Sequence, residues 1–196
     1  MTYFAAEQTN RDIMGWTMPT SWFQSFNAVF VILLAPLFAQ LWLALGAKNR
    51  EPSSPVKQAI GLLLLSLGYL LIAIGVQGVE PGVKVSILWL AGLYFIHTMG
   101  ELCLSPIGLS MVNKLSPIRF ASLLMGVWYL SMATANKLAG ALSSLYPEEG
   151  KVKHLFGIEI ANLFDFFMVF VVMAAVASLI LFLLSKKLQK LMHGVR

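Results

Sequence analysis

Apolar residues along this chain fall into five long runs separated by short polar breaks. The first extends from about Ser21 to Gly46, opened by Pro19-Thr20-Ser21 and carrying Pro36. A break over Ala47 to Val56 holds Lys48, Arg50, Glu51 and two prolines. The second run covers about Lys57 to Gln77 and meets a turn by composition, Gly78-Val79-Glu80-Pro81-Gly82. The third starts near Val85 and reaches about Leu115, with an interruption expected at Ser105-Pro106. The fourth runs from about Ile118 to Leu145. A polar segment, Tyr146 to His154, then leads to the fifth, about Phe156 to Leu184, ended by Ser185-Lys186-Lys187. Each run has the roughly 20 apolar residues that a helix needs to cross a hydrocarbon core. The runs are continuous rather than striped or alternating, which is the membrane-spanning pattern. The sequence therefore predicts an all-α integral membrane protein with five spanning helices over residues 21–185. Residues 1–20 are too short and polar to span, and form an extracytoplasmic lead-in or the end of a truncated helix. Residues 186–196 read as a basic cytoplasmic tail.

Composition agrees with a bilayer: 58% of the 196 residues are hydrophobic and only 12% are charged, where a soluble domain carries about a quarter. The formal charge of +5 would suggest a nucleic-acid partner in a soluble protein. Here no nucleic acid is expected, because the basic residues sit between apolar runs and report topology. Nine of the 14 Lys and Arg lie on one side if the 47–57 loop, the 113–119 turn and the tail are grouped: Lys48, Arg50, Lys57, Lys114, Arg119, Lys186, Lys187, Lys190 and Arg196. The other side holds Arg11, Lys84, Lys151 and Lys153, diluted by Glu7, Asp12, Glu80, Glu148, Glu149 and Glu159. The first side is expected in the cytoplasm. An outside start with an odd number of spans, and no signal peptide in the first 20 residues, reads as a piece of a larger protein in the cell membrane.

The residue richest in chemistry is Glu101, near the middle of the third span. A carboxylate at that depth is costly and normally faces a cavity or a bundle interior, marking a substrate or proton path. The bland alternative is a neutral acid bonded to a neighbouring helix. His97 and Ser105 stand four residues to either side, so all three are expected on one face. His97 is read either as a packed, helix-bonding histidine or as a proton relay. Pro106 and Gly108 would loosen the helix just beyond, as at the interrupted helices of transporter sites. Gln24 and Asn27 place two amides on one face of the first helix, for a substrate backbone or for a neighbouring helix. Trp128 lies near mid-membrane, as a cavity wall or as packing, whereas Trp16, Trp22 and Trp42 look interfacial. Lys137 faces away from Trp128 and is expected to snorkel outwards. Asp165 reads as an outer-side polar residue about a turn and a half into the last helix, and Gly61, Gly68, Gly92 and Gly100 as close-contact positions. The lone Cys103 excludes a disulfide or a cysteine metal site, and His97-x-x-x-Glu101 lacks a third ligand at membrane depth. Neither metal nor cofactor nor enzymatic activity is expected.

Gly100-Glu101-Leu102-Cys103-Leu104-Ser105-Pro106-Ile107-Gly108-Leu109-Ser110 closely resembles the tenth-helix signature of the proton-dependent oligopeptide transporters, a branch of the major facilitator superfamily. Pro19-Thr20-Ser21-Trp22-Phe23-Gln24-Ser25-Phe26-Asn27, with Leu34-Ala35-Pro36-Leu37-Phe38-Ala39, resembles that family's eighth helix. Met125-Gly126-Val127-Trp128-Tyr129-Leu130, then Asn136-Lys137-Leu138-Ala139-Gly140, resembles its eleventh. The resemblance covers the chain from about Phe4 and implies the C-terminal helical bundle of a major-facilitator-type transporter, helices eight to twelve. It implies a proton-coupled di- or tripeptide symporter whose coupling ion is the proton. Glu101 would receive the peptide's amino group and take part in proton coupling, with His97 a second candidate. Asn27 would contact the peptide backbone, Trp128 would wall a side-chain pocket, and Ser105 lies in the same signature. Two departures matter. Glu7-Gln8 imitates the seventh helix's Phe-Glu-Gln motif but fits better just after it, so no gating role is carried to Glu7. The six-helix N-terminal bundle with its Glu-x-x-Glu-Arg motif is absent, so the chain alone is expected to transport nothing. A transporter of the same branch for nitrate or an amino-acid conjugate, and a non-transporting membrane scaffold subunit, remain as rival readings.

Overall fold

The computed structural model of the chain describes residues 2–13, 15–79, 83–147, 153–155 and 157–192. Glu80, Glu148, Glu149, Lys151, His193, Arg196 and most of the expected 78–82 turn lie outside them. A short helix α1 (Thr2–Glu7) precedes strands β1 (Asp12–Ile13) and β2 (Trp16–Thr17). Helices α2 (Ser21–Ala47), α3 (Ser54–Val76) and α4 (Ile87–Leu115) follow. A 3-10 turn, Ile118–Phe120, leads into α5 (Ala121–Ser143). Strands β3 (Lys153–Leu155) and β4 (Ile158–Ile160) then precede α6 (Leu163–Leu191). Both strand pairs are antiparallel hairpins, Asp12 opposite Thr17 and His154 opposite Glu159. Among the described residues five helices are long and apolar enough to cross a membrane. Their apolar side chains face outwards freely, as at Ile32, Leu43 and Leu183, which fits a hydrocarbon solvent.

Helix α3 is the centre, packed between α4 and α6; α2 and α5 both lean on α4. In lipid there is no hydrophobic drive between helices, so association depends on close packing and polar contacts. Gly61, Gly68 and Gly75 recur every seven residues along α3 and leave holes that α4 fills. A Cβ on Gly61 would lie 2.8 Å from the Gly100 carbonyl oxygen and 2.7 Å from Leu104 Cγ. One on Gly68 would strike His97, and one on Gly75 would stand 2.6 Å from the Trp89 ring. Gly92, also expected at a close contact, would meet only Leu71 at 3.4 Å. On the other flank Ser66 Oγ donates to the Val171 carbonyl (2.9 Å) and Ser178 Oγ to that of Ala59 (2.7 Å), joining α3 to α6.

The lead-in packs rather than trailing free. Phe4 meets Phe167 edge-on with centroids 5.5 Å apart, and Val85 exchanges backbone hydrogen bonds with Gln8 (2.7 Å) and Asn10 (2.8 Å). Phe4, Ala5 and Met18 join Ile72, Val76, Leu90 and Phe166 in the main core, which closes one end of the bundle. At that end burial and the nearby Glu7 charge push the Tyr146 phenol from 10.0 up to about 12. The helix alternation puts the 47–57 loop and the ends of α4 and α6 at the opposite end. There the nearly buried Lys57 bonds Glu51 and its ammonium stands 4.7 Å from the Trp42 ring centre.

Several helix ends differ from expectation. Helix α6 begins at Leu163 rather than near Phe156, because the hairpin, with Gly157 at φ +83, uses the residues before it. Asn162 caps it, accepting from Asp165 N (2.8 Å), and Asp165 accepts in return from Ala161 N (3.3 Å). Asp165 is thus a first-turn capping residue. The helix also runs on to Leu191, since lysines are good helix formers and suit a C-terminal turn; the expected tail at 186–196 starts as helix. Helix α3 starts early, at Ser54, with Pro55 in its first turn. Helix α4 is continuous through Pro106, so the interruption is one missing backbone donor rather than a break.

Gly61→Ala is expected to cost about 1–3 kcal/mol through overpacking against α4, whereas Gly92→Ala should be neutral; thermal unfolding in detergent separates them. Tyr146 gives a second prediction. Burial and Glu7 disfavour the phenolate, so stability does not depend on this group below its unfolded value of 10.0 and falls as pH climbs from there towards 12. Tyr146→Phe should remove that alkaline loss. It should not weaken the protein at neutral pH, because the buried hydroxyl has no hydrogen-bond partner among the described residues.

Candidate functional site

Glu101 sits at the middle of α4. Its neighbours Gly100 and Cys103 are buried, Gly100 against Gly61 of α3, which turns Glu101 away from α3 and leaves its side chain exposed on the open side of the bundle. There it meets α2: Asn27 Nδ2 donates to Glu101 Oε2 at 3.1 Å. The other end of that amide is also held, since Thr98 Oγ1 donates to Asn27 Oδ1 at 2.7 Å and lies 2.8 Å from the Tyr94 carbonyl. Aromatic pairs flank the amide and fix α2 against α4. Phe26 meets Tyr94 with centroids 6.5 Å apart, and Phe30 meets Phe95 at 5.4 Å, both edge-on.

Ser105 stands one turn further along α4 and is likewise exposed. Trp128 packs on α4 beyond it: the indole fills the hole left by Gly108, where a Cβ would come within 2.5 Å of the ring. Gly108 is seven residues after Glu101, about 10 Å along the axis. With Met111, Leu115 and Leu124, Trp128 lines a cavity of about 310 Å³ between α4 and α5. Lys137 is exposed on α5, a helix that buries none of its residues.

His97 departs from the expected arrangement. Its ring lies over Gly68, edge-on to Tyr69 at 4.6 Å between centroids, with Nε2 3.2 Å from the Leu65 carbonyl of α3. A carbonyl only accepts, so Nε2 carries the hydrogen. Four residues along a helix rotate a side chain some 40° past a full turn. Over eight residues that drift separates His97 from Ser105, and the hole at Gly68 captures the imidazole. His97, Glu101 and Ser105 therefore do not share one face. Glu101 and Asn27 are brought together, Ser105 lies on Glu101's side, and Trp128 stands two turns along. Glu7 lies at the lead-in end, beside Tyr146. Sequence reasoning missed Thr98: a hydroxyl within a spanning helix commonly bonds its own helix's carbonyl, which hides a further partner.

Residues 1–157 match the sequence profile of the POT family. The chain belongs to that family. Among its relatives is the peptide transporter YePEPT of Yersinia enterocolitica, 43% identical over 141 residues, 71% of this chain and 28% of that protein. A di-/tripeptide transporter of Lactococcus lactis subsp. cremoris is 32% identical over 90% of this chain and 33% of its own length. A crystal structure of a mutant peptide transporter POT in complex with alafosfalin superposes with a TM-score of 0.85 at 36% identity, covering 98% of this chain and 37% of that one. The five spans thus adopt the arrangement of POT transporters of the major facilitator fold, and the chain spans about a third of the length of these relatives.

His97→Ala is expected to lower thermal stability in detergent by about 2–4 kcal/mol, through the void over Gly68 and the lost hydrogen bond.

Proposed function

We propose that this chain supplies the C-terminal bundle of a proton-coupled di- or tripeptide symporter, acting with a six-helix N-terminal bundle. The observation that carries this reading is the Glu101 carboxylate at mid-span, open on one side and steadied by Asn27. An ionised carboxylate offers about four acceptor positions, so it can keep the Asn27 amide and still take a peptide's ammonium group. Protonation removes the charge that holds the ammonium. Proton and amino group therefore compete for this one carboxylate, so a proton on Glu101 would release the cargo, and symport needs the co-transported proton to be taken up on a further carboxylate in the N-terminal bundle. Asn27 would donate to the peptide backbone, Ser105 lies beside the same space, and Trp128 would wall the pocket for a side chain. The geometry supports proton coupling at Glu101 better than at His97, whose ring is committed to α3. The names borne by the Yersinia and Lactococcus relatives support a peptide as substrate. The grouping of Lys48, Arg50, Lys57, Lys114, Arg119, Lys186, Lys187 and Lys190 at one end supports a cytoplasmic C-terminus in the cell membrane.

The test is uptake of labelled dialanine into liposomes by this chain joined to a full-length relative's N-terminal bundle. Uptake should follow an inward proton gradient and fall by about a hundredfold or more in Glu101→Gln, which keeps the volume but not the charge. A correctly inserted hybrid that takes up no dialanine with either residue would sink the peptide reading.

A further inference from the structure

We propose that Thr98 is a positioning residue for the substrate, acting by anchoring the Asn27 amide in the orientation that faces Nδ2 to Glu101. The inference rests on the reading of Asn27 and Glu101 as a peptide-binding pair. A primary amide has nearly the same shape with oxygen and nitrogen exchanged, so sterics do not select its orientation; only hydrogen-bond partners do. An ionised Glu101 accepts and cannot donate, so the useful orientation turns Nδ2 to the carboxylate and leaves Oδ1 needing a donor inside the helix contact. Thr98 is fully buried (0% exposed), three residues before Glu101, and provides that donor at 2.7 Å. The Tyr94 carbonyl, 2.8 Å from the same hydroxyl, is a second acceptor that competes with Oδ1 for its one hydrogen. A flipped amide would set oxygen against oxygen at the ionised Glu101, whereas the Thr98 hydroxyl could turn its hydrogen to the Tyr94 carbonyl and accept from Nδ2. The contact at Glu101 is repulsive in a medium that screens poorly. Glu101 thus selects the orientation, Thr98 anchors it by its bond to Oδ1, and the second Nδ2 hydrogen is the donor left for a peptide carbonyl. A threonine that merely filled space would give way to valine, its near-isostere, without touching substrate affinity.

The experiment is a double-mutant cycle in the same hybrid, scored by dialanine uptake. Thr98→Val should raise KM by about 3- to 10-fold, the worth of one neutral hydrogen bond, with the maximal rate little changed. Thr98→Ser, which keeps the hydroxyl, should restore the native KM. In an Asn27→Ala background Thr98→Val should add nothing, because the residue it acts through is gone. Should the valine chain fail to insert, Thr98→Ala takes its place in the cycle. An equal effect of Thr98→Val with and without Asn27 would overturn the inference, as would a neutral Thr98→Val beside a damaging Asn27→Ala. A native hybrid with no dialanine uptake would overturn the peptide reading and this inference together, a result distinct from the other two.

Discussion

The contact of α3 with α4, where Gly61 and Gly100 leave carbonyl oxygens against bare α-carbons, is the one on which the rest of the bundle hangs. Lipid tails are as apolar as leucine, so helices in a bilayer gain little by hiding side chains from their solvent. What remains is contact at short range, and glycine permits it. The heptad of Gly61, Gly68 and Gly75 turns one face of α3 into a row of sockets, filled in turn by Leu104, His97 and Trp89. Seating α4 this way decides its rotation. With Gly100 and Cys103 facing α3, Glu101 has to face elsewhere, and the direction left is the open side where α2 arrives.

Polar groups inside the bundle then fall into two kinds. Ser66 and Ser178 donate to carbonyls of the neighbouring helix and His97 bonds Leu65, so each is discharged within one helix pair. Their role is cohesion. Asn27, Thr98 and Glu101 form a chain that ends on an exposed carboxylate rather than on a carbonyl. A set of bonds meant only to glue α2 to α4 has no need of an acidic end at mid-depth, where charge is most costly.

The spans were legible in the sequence because a run of 20 apolar residues has few other uses. Their ends were less so. The hairpin ahead of α6 was hidden because Phe156 and Ile158 extend the apolar run backwards, and the lysines after Ser185 looked like a stop although lysine is a good helix former. Glu101 and Asn27 could be singled out, the first by the cost of its charge and both by family motifs. That they touch could not be read, since it depends on the crossing of α2 and α4. The facing of His97 could not be read either. Counting in fours put it with Glu101, and only the socket at Gly68, on another helix, shows why it turns away. The packed lead-in was opaque for a similar reason: Phe4 and Met18 look like isolated apolar residues until Phe167 and the end of α3 are beside them.

Helix α5 buries none of its residues, and its main purchase on α4 is the Trp128 ring seated at Gly108. Such an attachment behaves as a ball in a cup: it fixes a point on the helix and leaves the angle about that point to whatever else surrounds it. The cup is cut into α4 just past Pro106, where the backbone lacks one donor. The place of α5 is therefore tied to α4 at one tryptophan, while its tilt is left to whatever packs against its remaining faces.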